Sequence, residues 1–141
     1  MTKNDDHISQ LKRIPLFASL SKKDVARLAS AADEVDFAAG HTLITEGEAG
    51  SEAYVVLSGT VSVSRQGTTI AALGPGEIIG ELALLEDAER TASVTCETDC
   101  SMLVLDRRHF VPLLEDTPAL AIGFLEELAR RLRDLDRTAF G

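Results

Sequence analysis

Glu81 and Arg90 are the residues of this chain whose types and setting suggest binding chemistry. They share one run, Gly80-Glu81-Leu82-Ala83-Leu84-Leu85-Glu86-Asp87-Ala88-Glu89-Arg90-Thr91-Ala92-Ser93-Val94. The run opens on Gly-Glu, passes helix-favouring residues from Glu81 to Leu85, crosses an acidic turn and reaches one arginine before a β-branched stretch. A short helical turn leaves its first backbone N–H groups without partners, and an anion satisfies them best. Gly80 permits close backbone approach at that point. The Arg90 guanidinium offers a planar fork of donors able to grip two oxygens of one phosphate, whereas Glu81 can only accept and so suits a ribose hydroxyl. A sugar phosphate satisfies both.

The elements that must position this run are legible on either side of it. Ile8, Leu11 and Ile14 recur at spacings of three and predict a short helix ending at Pro15. Ser21 is placed as an N-cap with Asp24 three residues on, opening a helix with Val25, Leu28, Ala29 and Ala32 on its apolar stripe and ending near Asp33. From Val35 to Asp106 the texture is short β-prone runs separated by glycines: Val35–Ala38, Thr42–Thr45, Ala53–Ser58, Thr60–Ser64, Thr68–Leu73, Ile78–Ile79, Ala92–Thr95 and Ser101–Asp106. Many short strands at near-regular spacing predict a sandwich or barrel. Arg65-Gln66-Gly67 is tight enough for a hairpin, with Gly67 supplying a positive φ. Asp106 caps a helical stretch, and Pro118 suits the first turn of a last helix over about Ala119 to Arg137. Glu126 with Arg130 and Glu127 with Arg131 are favourable pairs on that helix, and Arg131, Arg133 and Arg137 complement its C-terminal dipole.

Length and composition bound the rest. At 141 residues, 45% hydrophobic and 26% charged, the chain predicts one ordinary soluble globular domain over 1–141. A net charge of −9 repels the phosphate backbone of nucleic acids, so the chain alone is expected to bind no DNA. No apolar run suffices to span a bilayer, and the polar start Met-Thr-Lys-Asn-Asp-Asp-His is no signal peptide, which predicts a cytoplasmic protein with no membrane partner. Cys96 and Cys100 are the only cysteines and read as small residues in or beside strands, kept reduced.

The central run closely resembles the phosphate-binding cassette of cyclic nucleotide-binding domains. These are the sensing modules of cyclic-nucleotide-dependent kinases, gated channels and catabolite activator-type regulators. Gly80-Glu81-Leu82-Ala83-Leu84 and then Arg90-Thr91-Ala92 carry the resemblance at the family's offset, with Ile79 where Phe is usual and Glu89 where Pro commonly precedes the arginine. Gly40 to Gly47, Gly50, Tyr54-Val55-Val56 and Gly59-Thr60-Val61 match the family's turn glycines, and Pro15-Leu16-Phe17 with Leu20-Ser21 matches its helical lead-in. The resemblance extends over roughly residues 10 to 135. It implies an α+β fold: an eight-stranded jelly-roll β-barrel with an inserted cassette helix, N-terminal helices and two C-terminal helices. The segments would be a lead-in at 4–33, a β-roll at 34–106 and helices at 107–138. By the same resemblance Glu81 takes the ribose 2′-hydroxyl and Arg90 the exocyclic phosphate oxygens. The amides of Leu82, Ala83 and Ala92 complete the phosphate shell, and Thr91 influences base preference. The implied ligand is cyclic AMP, alternatively cyclic GMP, with no further cofactor, no metal and no catalysis.

Alternatives stay open at this level. Glu46 is either an exposed turn carboxylate or an orienting partner for Arg90. A cupin-like metal enzyme needs histidines converging on one ion, and His7, His41 and His109 lie in three different segments. The chain could also be the sensor part of a catabolite activator-type regulator without its DNA-binding module. Ala121, Leu125, Leu128, Leu132 and Leu135 recur at spacings of four and three, a seam that either packs on the chain itself, as a core stripe or as a lid over the ligand, or joins two copies in a parallel homodimer. Phe124 or Phe140 could shield a purine. The downstream effector is not encoded in these residues.

Overall fold

The structure is a computed structural model that describes the backbone of residues 3–140 and the side chains of residues 6–130 and 132–134. It divides into two compact units, one helical, from residues 1–29 with 112–141, and one β-rich, from residues 30–111.

In the helical unit, α1 covers Lys3–Lys12, a 3-10 turn covers Pro15–Phe17 and α2 covers Lys22–Ser30. Pro15 does not stop α1 directly; it sits at the first position of its own 3-10 turn, where its missing N–H costs nothing. Ser21 caps α2 as its type and position require, its hydroxyl accepting from the Asp24 N–H at 3.1 Å. The last helix, α4, runs over Pro118–Phe140 and follows α3, Arg107–Asp116. Leu120 and Phe124 of α4 are buried, while Ile122, Leu125 and Leu132 are 55%, 66% and 62% exposed, so two members of the leucine seam face solvent. Arg130 pairs with Glu127 rather than with the expected Glu126. The side chains of Arg131, Leu135, Arg137 and Phe140 lie outside the described residues.

The β-unit holds eight strands: β1 Asp33–Phe37, β2 Thr42–Ile44, β3 Glu52–Ser58, β4 Val61–Arg65, β5 Thr68–Leu73, β6 Ile78–Ile79, β7 Ser93–Cys96 and β8 Cys100–Asp106. They form two antiparallel four-stranded sheets, ordered β1-β8-β3-β6 and β2-β7-β4-β5. This is the α+β jelly roll with an inserted short helix that the family resemblance implies. Val56, Met102, Tyr54 and Ile79 of the first sheet meet Ile44, Val61, Val94 and Cys96 of the second in one core. The alternate positions Val61 and Val63 of β4 and Val94 and Cys96 of β7 put apolar side chains on the inner face and explain that packing. Cys96 and Cys100 are free and buried, and burial, then the hydrogen-bonded neighbouring thiol, pushes the Cys96 thiol up to about 11. The β4–β5 hairpin turns on Gln66 at φ 52° and Gly67 at φ 82°, two consecutive left-handed residues whose twist matches the flanking strands.

Asp106 ends β8 and caps α3, its Oδ1 accepting from the His109 N–H at 3.1 Å. Burial pushes this carboxyl up, but the His109 and Arg108 backbone N–H groups and the His109 ring outweigh it and leave its pKa below the ordinary value. A depressed carboxylate pKa stabilises the fold above the unfolded value of about 3.9, and that contribution fades as pH falls through the folded value. Asp106→Ala is therefore expected to lower the unfolding free energy by about 0.5–2 kcal/mol at neutral pH. In urea titrations the difference from wild type should shrink once the pH is brought below the folded value.

Candidate functional site

β6 pairs with β3 through Tyr54 opposite Ile79 and Val55 opposite Ile78, which brings Gly80 to the edge of the roll. There Gly80 adopts φ 73°, a left-handed conformation that reverses the chain into the 3-10 helix Glu81–Leu84. Glu81 is buried at the start of this helix, Ala83 and Leu84 are buried beneath it, and Leu82 is 49% exposed. The Ala83 N–H donates to the Gly80 carbonyl at 3.1 Å, so a ligand recruiting it must share that donor or take it over. Glu86 and Leu85 N–H groups both close onto the Leu82 carbonyl.

Arg90 returns to this helix from the far side of the acidic turn. Its backbone is clamped by the β2–β3 connection: the Arg90 N–H donates to the Glu48 carbonyl at 2.8 Å, and the Gly47 N–H donates to the Arg90 carbonyl at 2.9 Å. Its guanidinium donates through Nη2 to the Glu52 carbonyl at 2.7 Å and through Nη1 to the Gly80 carbonyl at 3.4 Å. Among the described residues no carboxylate forms a salt bridge with it. The half-buried cation is thus aimed by main-chain oxygens and keeps donor capacity and net charge for an incoming anion. The neighbouring Tyr54 hydroxyl is pushed up by burial and by Glu52, against a smaller lowering by Arg90.

Two glycines make room for this arrangement. A Cβ on Gly80 would stand 2.7 Å from Arg90 Nη1, and one on Gly50 would overlap the guanidinium carbon and nitrogens. Gly50 is not left-handed, so it is there for space rather than for backbone freedom.

The site also has residues that the sequence did not point to. Arg107, at the start of α3, donates through Nε to the Ala83 carbonyl at 2.8 Å and through Nη2 to the Gly50 and Glu86 carbonyls at 3.1 and 3.2 Å. It collects the exposed carbonyls at the C-terminal end of the cassette helix, where a cation is favoured. Its only sequence signal was an arginine just after a strand-ending cap. Arg65, at the end of β4, donates through Nε to the Thr91 carbonyl at 3.0 Å. Glu46 accepts from the Gln66 N–H at 3.0 Å, which makes it the turn carboxylate of the two readings; it holds the β4–β5 hairpin and not Arg90.

The structure therefore gathers Gly80, Glu81, Leu82, Ala83 and Arg90 around one helical turn, with Thr91 and Ala92 leading from the arginine into β7. Phe124 is buried, and Phe140 lies outside the described side chains. Among the described residues no group of three or more His, Cys, Asp or Glu is placed to hold a metal ion.

A jelly roll that holds a carbonyl-anchored arginine beside an inserted helical turn has the build of a module that binds a small anion. Residues 34–117 match the family model described as "Cyclic nucleotide-binding domain", and the chain belongs to that family. It is 32% identical over 128 residues to a CRP-like cAMP-activated global transcriptional regulator of Mycobacterium tuberculosis, covering 87% of this chain and 57% of that protein. It is 35% identical over 131 residues to the cyclic AMP receptor protein of Thermus thermophilus, covering 89% and 61%. The chain thus spans somewhat more than half the length of these relatives. Among solved structures, the N-terminal domain of a transcriptional regulator from Streptomyces coelicolor superposes with a TM-score of 0.77 at 38% identity, covering 90% of this chain and 94% of that one.

Gly50→Ala separates the placement of Arg90 from the stability of the roll. The alanine backbone is permitted, and the clash falls on the far end of the Arg90 side chain and not on the strand ladders, so the fold should persist while the guanidinium is driven off its carbonyl anchors. The expected outcome is unchanged circular dichroism with a loss of cyclic nucleotide affinity of about tenfold or more, the scale of one misplaced charged hydrogen bond. Full affinity in this variant would show that the guanidinium position does not matter.

Proposed function

We propose that this chain is a cyclic nucleotide sensor module that binds cyclic AMP reversibly, without chemistry, and relays occupancy through its C-terminal helices. The observation that carries this reading is the Arg90 guanidinium, fixed by the Glu52 and Gly80 carbonyls and paired with no carboxylate among the described residues. In a chain of net charge −9, such a cation is a favourable place for one compact phosphate. Glu81 at the head of the cassette helix accepts the ribose 2′-hydroxyl, and the amides of Leu82, Ala83 and Ala92 complete the phosphate shell. Cyclic AMP is preferred because the two bacterial relatives are named for it; cyclic GMP is the alternative ligand, with exposed Thr91 the residue best placed to alter the choice.

The test is calorimetry with cyclic AMP and cyclic GMP on ligand-free protein. Arg90→Ala removes the guanidinium anchored beside the cassette helix and should cost about 2–5 kcal/mol, roughly 30-fold to several thousand-fold in affinity. Glu81→Ala should weaken binding and also blunt discrimination against the 2′-deoxy analogue; a mutant that still rejects that analogue would rule out the ribose assignment.

The whole 1–141 segment acts, on this reading, as one sensing module, either free-standing or as the sensor part of a catabolite activator-type regulator. Its acidic balance makes DNA a partner only through some other domain. The exposed Ile122, Leu125 and Leu132 on α4 favour a homodimer joined along that helix over a seam packed on its own chain. Leu125→Glu should then halve the sedimentation mass while leaving nucleotide affinity nearly unchanged.

A further inference from the structure

Arg65 is assigned no part in the ligand shell above, yet its position ties it to that shell through a single peptide. β4 pairs without a break against β7, from Val61 opposite Cys96 to Ser64 opposite Ser93. Alternation along β4, regular in its ladder with β7 although its pairing with β5 shifts register between Val63 and Ser64, puts Val61, Val63 and the exposed Arg65 on one face. Val61 is fully buried in the core and Val63 packs against it, so Arg65 continues the inner face beyond the last core residue, at the rim of the roll. The hairpin beyond it is held by the Glu46 carboxylate on the Gln66 N–H, and the Glu46 N–H in turn donates to Ser93 Oγ at 2.9 Å. The base of the Arg65 side chain is therefore fixed with respect to the 91–93 segment.

Its Nε donates to the Thr91 carbonyl at 3.0 Å. That carbonyl belongs to the same planar trans peptide as the Ala92 N–H, and in a trans peptide the two groups point in opposite directions. Whatever sets the direction of the Thr91 carbonyl sets the direction of the Ala92 N–H. A cationic donor on the oxygen also polarises the amide and strengthens the N–H as a donor on its other side. We propose that Arg65 is a positioning residue of the nucleotide site: by holding the Thr91 carbonyl it aims and sharpens the Ala92 N–H toward one exocyclic oxygen of the ligand phosphate. This rests on the cyclic nucleotide reading, which supplies the phosphate. Arg65 acts through the peptide and needs no contact with the ligand.

The test uses the two phosphorothioate diastereomers of cyclic AMP, each of which replaces one exocyclic oxygen with sulfur, a poorer acceptor. Arg65→Gln should weaken cyclic AMP about threefold to tenfold, the worth of one hydrogen bond. It should weaken the diastereomer that keeps the Ala92-facing oxygen by the same factor, and the other diastereomer by much less, because there the hydrogen bond is already impaired. Arg65→Lys keeps a cationic donor for this single contact and should recover most of the affinity. An arginine that only ties the hairpin to β7, or only adds positive charge, would change both diastereomers equally, and that result overturns the proposal. In ligand-free protein, Arg65→Gln should also move the Ala92 amide resonance; an unmoved resonance overturns the proposal as well. This second measurement tests the hold of Arg65 on the peptide separately from ligand binding; a wild type that binds no cyclic nucleotide would instead defeat the functional reading.

Discussion

One side chain held by two main-chain oxygens organises the β-unit. The Arg90 guanidinium reaches the Glu52 carbonyl on β3 and the Gly80 carbonyl at the head of the cassette helix, and its own backbone is clamped at Glu48 and Gly47. Those contacts draw together the β2–β3 connection, the β6–cassette junction and the approach to β7. A long cationic side chain left free would lose substantial rotamer entropy on gripping an anion. Anchoring it in advance moves that cost into folding, so less of it opposes ligand capture.

The surroundings follow from that constraint. Gly50 and Gly80 have no side chain where the guanidinium lies, and Arg107 neutralises the carbonyl end of the cassette helix from the opposite side. The acidic residues between the helix and Arg90, Glu86, Asp87 and Glu89, are exposed, where solvent and salt screen them.

Much of this was legible in the residues because the relevant signals are local. Glycines and β-branched runs placed all eight strands to within a residue or two, and the Ser21 and Asp106 hydroxyl and carboxylate caps were readable from type and position. The short helix after Gly80 and the arginine that returns to it could be read from type and position, because Glu81 and Arg90 carry their chemistry in their side chains. What escaped was chemistry carried by the main chain. The anchors of Arg90 are the carbonyls of Glu52 and Gly80, and a carbonyl looks the same whatever residue bears it. Arg107 and Arg65 escaped for the same reason: their hydrogen bonds go to the carbonyls of Ala83, Gly50, Glu86 and Thr91, distant in sequence and silent in composition, with the exposed Asp87 only a loose ion pair of Arg107. Gly50 could have been found by asking why a turn needs glycine when its backbone angle does not. In α4 the i,i+4 spacing predicts Arg130 paired with Glu126, but Glu127 at i,i+3 is equally within reach on a helix and is the partner the structure takes.

The clamp between Gly47, Glu48 and Arg90 has a thermodynamic corollary. Because segments from either side of the cassette must dock before the guanidinium is aimed, an unfolded chain has no partial version of the site. Ligand therefore binds the native state alone, and folding and occupancy are linked by mass action: each tenfold rise in free ligand above its dissociation constant adds about 1.4 kcal/mol to native stability. A binding domain of this construction would register the concentration of its ligand through its own resistance to unfolding.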